Sequence, residues 1–261
     1  MRGKEKIKLK EKVLLLGEDG KKFIVEVKDK PFHTHKGMLN LKELEKKEFG
    51  STVETHKGYK FIVLKPNIID FIEKIREGPQ RIVPKDAALI VAYAGIKPND
   101  VVVEGGTGRG CLTVFLANVV GKNGKVISYE IREQFARWAK QHIEFAGFSD
   151  VVRIKKKNIY EGIDEKNVDA IVLDVPEPEK VVEHALKSLK VGSFLVSYVP
   201  CLNQVLRLYK KVEKFKNYFD KPFTIESMVR EQKVSEQCLR PKTQTIGHTG
   251  YITFVRKIRN K

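Results

Sequence analysis

Four polar side chains stand at or just past the ends of short, largely apolar runs, and their types suit them to hold a ligand by charge and hydrogen bonds. Glu104 follows Val101, Val102 and Val103, Glu130 ends the run at 126–130, Asn158 lies just past the run at 151–155, and Asp174 ends the run at 168–174. Runs rich in β-branched residues read as strands buried on both faces. A polar group at the carboxyl end of such a strand emerges where open α/β sheets bind their ligands. Between Glu104 and the apolar stretch that starts at Cys111 stand Gly106, Gly108 and Gly110. A strand, a glycine turn and a helix in that order aim free helix N–H groups at whatever sits above the strand, which suits a nucleotide-like cofactor. A dinucleotide fingerprint is disfavoured, because Cys111 stands where G-x-G-x-x-G needs its third glycine. A Walker loop would need Lys and then Ser or Thr after its last glycine, and Cys111 and Leu112 stand there instead.

The position of each group suggests its use. Glu130 has the reach to hold ribose hydroxyls, with an acid at the start of the helix at 131–146 as the alternative. Asn158 can read an adenine amino group. Asp174 opens into a loop stiffened by Pro176 and Pro178, where it serves either the ligand or the loop's own backbone.

These residues need a frame. Strands and helices alternate from residue 101 onward, the signature of a parallel α/β sheet. Asp86 is the expected N-cap of a helix at 87–94 that Gly95 stops. Residues 193–199 give a fifth strand, 203–215 a helix, and 224–231 and 251–257 finish the sheet, the last expected to run antiparallel. Residues 1–65 read as a separate, basic, β-rich domain with hairpins around Gly17 to Gly20 and around His56, Lys57 and Gly58. A linker helix spans 66–77, and residues 78–261 form the main domain.

The chain has 261 residues, 50 Lys and Arg against 33 Asp and Glu, and a formal net charge of +17. That field favours a polyanionic partner, nucleic acid first. No apolar run approaches the roughly 18 residues of a membrane span, and the N-terminus leads into no signal-peptide core, so the chain is expected to be cytoplasmic. Cys111, Cys201 and Cys238 lack metal-ligand spacing. His33, His35 and His56 lack a carboxylate or cysteine partner at ligand spacing, so no metal is expected.

The glycine segment, with Glu104, Gly106, Gly108 and Gly110, resembles the first motif of the S-adenosylmethionine-dependent methyltransferases. Four further segments follow in order: Ser128 to Glu130, Asn158 to Gly162, Leu173 to Pro178 with its Asp-x-Pro-Glu-Pro pattern, and Gly247 to Tyr251. Together they resemble the tRNA (adenine-N1)-methyltransferases of T-loop adenines, particularly the archaeal branch, from about Gly78 to the C-terminus. The resemblance implies a Rossmann-like, seven-stranded methyltransferase sheet beside the small N-terminal β domain. It also implies S-adenosylmethionine as methyl donor, a flipped-out tRNA adenine as acceptor, and a homotetramer. Asp174 would be the catalytic position and would border the cofactor. Glu104 would meet the cofactor ammonium, the N–H groups around Leu112 and Thr113 its carboxylate, Glu130 its ribose and Asn158 its adenine. Arg240 and His248 would face RNA, with a turn-holding imidazole as the alternative for His248.

Two departures bear on this picture. Val83 stands where the family often has Tyr, so an aromatic partner for the target base must come from elsewhere, such as Tyr198. Asn158 replaces the more usual Asp. The Lys- and Glu-rich, Met- and Trp-poor composition leans toward a heat-adapted source, where Cys201 and Cys238 could crosslink subunits.

Overall fold

The computed structural model describes residues 5–75, 81–235 and 237–261. The chain divides into two compact units, one ending at Lys74 and the other beginning at Ile75. In the first, β1 (Lys12–Gly17), β2 (Lys22–Glu26), β5 (Thr52–Glu54) and β6 (Lys60–Leu64) form an antiparallel sheet in the order β2-β1-β6-β5. The hairpin of β3 (Pro31–Thr34) and β4 (Gly37–Asn40) was not anticipated. Helix α1 (Ile68–Lys74), expected as the linker, is part of this unit, since its buried Asp70 accepts from Lys22 Nζ at 2.9 Å. Residues 76–77 of the expected linker lie outside the described residues.

The second unit is built on a seven-stranded sheet in the order β12-β15-β11-β10-β7-β8-β9. In chain order its elements are α2 (Pro84–Ala94), β7 (Val101–Gly105), α3 (Cys111–Val120), β8 (Lys125–Tyr129), α4 (Glu133–Ala146), β9 (Val152–Lys155), β10 (Val168–Leu173), α5 (Val182–Ser188), β11 (Leu189–Val199), α6 (Leu202–Glu213), β12 (Phe223–Ile225), β13 (Gln232–Ser235), β14 (Cys238–Pro241) and β15 (Tyr251–Arg256). Strands β7 to β11 pair in parallel, whereas β15 runs antiparallel to both β11 and β12. The strand expected at 224–231 is shorter, ending at Ile225, and a separate exposed hairpin, β13 with β14, follows from Gln232.

The apolar runs are explained by burial on both faces. Val102, Val126, Val172 and Val196 pack into one core with α2 and α3 residues, while Val103, Ile127, Ile171 and Leu195 pack into the other with α5 and α6 residues. Successive strand residues point to opposite faces, so Glu104 and Ser128 share the α3 side with Val102 and Val126. One expectation changes here. Helix α2 starts at Pro84 with Val83 as its N-cap, because proline suits the first helical position, and Asp86 is the third residue of its first turn, fully buried. Gly95 does end α2, in a left-handed conformation with φ 67°.

Candidate functional site

The strand order reverses between β7 and β10, the place where open α/β sheets hold their ligands. Gly105 and Leu173 are paired there. The next residues are stitched together, Asp174 N–H donating to Gly105 O at 2.5 Å and Gly106 N–H to Asp174 O at 3.4 Å. Above this point opens a cavity of about 500 Å³ whose lining includes Glu104, Gly106, Gly108, Leu112, Glu130, Asn158 and Asp174. That volume lies in the range of sites for small cofactors.

Glu104 forms the floor. It is 1 % exposed, and its Oε2 accepts from Thr113 Oγ1 and Ser128 Oγ, both at 2.6 Å. Burial outweighs these two bonds and pushes its pKa up to about 8. An acid so placed favours a cationic neighbour, which would restore its ionised form. Thr113 is thereby a buried donor to Glu104, and it does not line the cavity as Leu112 does.

The glycines divide by role. Gly108, at φ 54°, turns its N–H to Glu130 Oε2 at 3.0 Å. Gly110 caps α3 at φ 81° and does not line the cavity. A Cβ there would come within 3.2 Å of Ala139 Cβ, so Gly110 lets α3 approach α4. Glu130 is fixed from both sides, because Arg132 N–H donates to its other oxygen at 2.9 Å. A carboxylate held by two backbone donors keeps lone pairs for hydroxyl ligands.

Asn158 caps a short turn, its Oδ1 accepting from Tyr160 N–H at 3.1 Å while its Nδ2 donates to Glu161 at 3.3 Å. Asp174 differs from the other acids. Among the described residues its carboxylate has no hydrogen-bond or ion-pair partner, so it does not cap the loop that comes after it. It is open to solvent in the cleft, yet crowded by protein around it, and that desolvation pushes its pKa up to about 7.

Tyr198 lines the same cavity and is 7 % exposed. Its hydroxyl donates to Thr249 O at 2.6 Å, and the missing side chain of Gly250 leaves room for its ring, since a Cβ there would lie 2.5 Å from Tyr198 Cζ. Behind it, Lys85 Nζ donates to Asp86 Oδ1 at 2.7 Å and to Ser227 O, Ser227 Oγ and Thr249 Oγ1, each at 2.8 Å. Val83 is not among the lining residues.

Arg240 and His248 are not brought to the cavity. Arg240 lies on exposed β14 and donates to Thr243 Oγ1 at 2.9 Å. The His248 ring spans Glu226 Oε1 at 2.6 Å and Pro200 O at 2.9 Å. Both partners are acceptors, so the doubly protonated ring satisfies both, and these bonds raise its pKa. Both ring nitrogens are therefore spent within the chain. Cys201 and Cys238 are exposed and unpaired, and Cys111 is buried. Among the described residues no cluster suited to a metal ion occurs, and no helix is long and apolar enough to cross a membrane.

Sequence reading missed several groups around the cleft. Ser128 shares Glu104's face by strand alternation, a signal available beforehand. Arg81, Arg132, Phe135, Lys157, Tyr160 and Gln204 also line the cavity. Gln204 stands just beyond the carboxyl end of the fifth strand, and that placement alone could have pointed to it.

Residues 74–237 match the model of a protein family described as the tRNA methyltransferase complex GCD14 subunit. The chain is 37 % identical to the tRNA (adenine(57)-N(1)/adenine(58)-N(1))-methyltransferase TrmI of Methanocaldococcus jannaschii, covering 93 % of this chain and 94 % of that one. It is 32 % identical to the tRNA (adenine(58)-N(1))-methyltransferase TrmI of Thermus thermophilus, covering 94 % and 96 %. Among solved structures, a SAM-dependent O-methyltransferase from Thermotoga maritima superposes with a TM-score of 0.85 at 36 % identity, covering 98 % of this chain and 96 % of that one. The tRNA (m1A58) methyltransferase TrmI from Aquifex aeolicus gives 0.77 at 28 %, covering 98 % and 100 %.

Proposed function

The chain belongs to the GCD14 family of tRNA methyltransferases, and from that premise we propose that it transfers a methyl group from S-adenosylmethionine to N1 of an adenine in the T-loop of tRNA. The position is 58, with 57 as a second target in keeping with the name of the archaeal relative. The observation that carries this reading is Asp174, an unpartnered carboxyl at the rim of the cleft, one residue past the pairing of β10 with β7.

The residues present fit the methyl donor. Glu104, buried and needing a cation, would hold its ammonium group, and the N–H groups around Leu112 and Thr113 its carboxylate. Glu130 would take the ribose hydroxyls, and Gly106 and Gly108 leave the backbone free to lie close. Asn158 would sit by the adenine of the donor. When bound, S-adenosylmethionine supplies a methyl group already activated by its sulfonium.

The protein's work is then placement. Adenine N1 keeps an in-plane lone pair, so no strong base is needed, and the main task is to hold N1 in line with the methyl group. Asp174 accepts a hydrogen bond from the exocyclic amino group of the target base. It thereby orients the base and stabilises the positive charge that the purine gains. Tyr198, anchored through its hydroxyl, offers the aromatic surface that Val83 lacks. Extruding the base costs a few kcal/mol, which phosphate contacts of a chain with net charge +17 offset. Arg240 is a candidate for such contacts, whereas His248, with both nitrogens engaged, supports the reading as a latch on the 226–248 segment.

The assembly is a homotetramer in this reading, with Cys201 and Cys238 joining subunits; dimers on non-reducing electrophoresis that dissociate with thiol support the crosslink, and monomer alone dismisses it. Labelled S-adenosylmethionine is incubated with bulk tRNA, protein and buffer controls, and the nucleosides are separated. Label in 1-methyladenosine is the expected result. Label in an O-methylated nucleoside, or no label in tRNA, overturns the reading.

A further inference from the structure

Because the Asp174 carboxyl has no partner among the described residues, its position is set by the backbone that carries it. That backbone enters a loop with Pro176 and Pro178, neither of which can donate a hydrogen bond, so the loop must be fastened from outside. On one side Glu177 N–H donates to Tyr160 Oη at 3.0 Å. On the other, Pro176 O accepts from Gln204 Nε2 at 2.9 Å and from Arg207 Nη2 at 3.3 Å. Arg207 is shared, since its Nε donates to Glu179 Oε1 at 2.7 Å. The shorter and better defined tie is Gln204.

Gln204 stands at the third position of α6, where its Oε1 accepts from Cys201 N–H at 3.1 Å. A backbone N–H can only donate and a proline carbonyl can only accept. One orientation of the amide satisfies both. Gln204 thus couples the start of α6 to the loop holding Asp174, and it also lines the cavity.

We infer that Gln204 is a positioning residue for methyl transfer, fixing the Asp174 carboxylate through Pro176; this rests on the methyltransferase reading above. Two substitutions separate this role from helix capping. Gln204→Glu keeps the acceptor for Cys201 N–H, and Glu is as good as Gln at that capping-box position, but it sets an oxygen against Pro176 O. Gln204→Met removes both bonds and adds no charge.

The experiment measures kcat and KM for a tRNA transcript, the dissociation constant of S-adenosylmethionine and the melting temperature for each variant. The expected result is a fall in kcat of about tenfold or more in both, the consequence of misplacing a reacting group by a fraction of an ångström. KM for tRNA and cofactor affinity should stay within about twofold of wild type, and Gln204→Glu should melt with the wild type. A loss in Gln204→Met alone would show a capping role, and a loss in Gln204→Glu alone would show a charge effect. Either result, or wild-type kcat in both, overturns the inference. A wild-type protein that forms no 1-methyladenosine instead overturns the reading on which it rests.

Discussion

Replacing Glu104 by Gln should make the protein more stable and its cofactor binding worse, a combination that few substitutions give. The ligand-free protein keeps this carboxyl protonated up to a pH of about 8, against an ordinary value of 4.5. The unfolded chain therefore loses the proton first, so stability falls as pH rises from about 4.5 to about 8 and is flat beyond. At roughly 1.4 kcal/mol for each pH unit between those two values, the ionised form costs on the order of 5 kcal/mol. Gln keeps an oxygen for the hydroxyls of Thr113 and Ser128, each 2.6 Å away in the wild type, and never ionises. Glu104→Gln should then melt with the wild type near pH 5 and several degrees above it at pH 9. The same variant loses a charge-assisted bond to the donor's ammonium group, worth about 1.5–3 kcal/mol, so calorimetry should show affinity about 10- to 100-fold weaker. Melting below the wild type at pH 9, or binding S-adenosylmethionine within about twofold of it, would refute the reasoning.

Two other substitutions test the frame. Gly110→Ala forces a side chain into a left-handed backbone and against Ala139 at 3.2 Å, so it should cost about 1–3 kcal/mol, read as a lowered denaturation midpoint with an unchanged slope. Lys85→Met leaves the fully buried Asp86 without its ion pair and strips a donor from Ser227 and Thr249. The loss should be about 3–5 kcal/mol, and adding Asp86→Asn should recover part of it in a double-mutant comparison.

Much of the site was legible because the sheet is buried on both faces. Each parallel strand then reads as an apolar run, and a polar residue at or just past its carboxyl end marks the cleft, which is how Glu104, Glu130, Asn158 and Asp174 could be named together. Boundaries were less legible where burial lapses. β11 begins at Leu189, but the exposed Lys190 and Val191 and the half-buried Gly192 hide its start. The β3–β4 hairpin was missed because its four-residue strands are partly exposed and carry His33 and Met38 rather than a clean alternation. Asp86 was misread as a cap because its partners, Lys85, Ser227 and Tyr198, include residues more than 100 positions away. Partners of that kind are decided by packing and leave no local signal. The bond from Gln204 to Pro176 is likewise decided by packing, although the place of Gln204 just past the fifth strand sets it near the cleft.

The most direct test is Asp174→Asn, which keeps the shape of the side chain and removes its charge. With S-adenosylmethionine binding checked by calorimetry, single-turnover formation of 1-methyladenosine in a tRNA transcript should fall at least about 100-fold. The wild-type rate should rise with pH through about 7, where the Asp174 carboxyl ionises. A variant that binds the donor and methylates tRNA within a few-fold of the wild type would contradict the role given to this carboxylate.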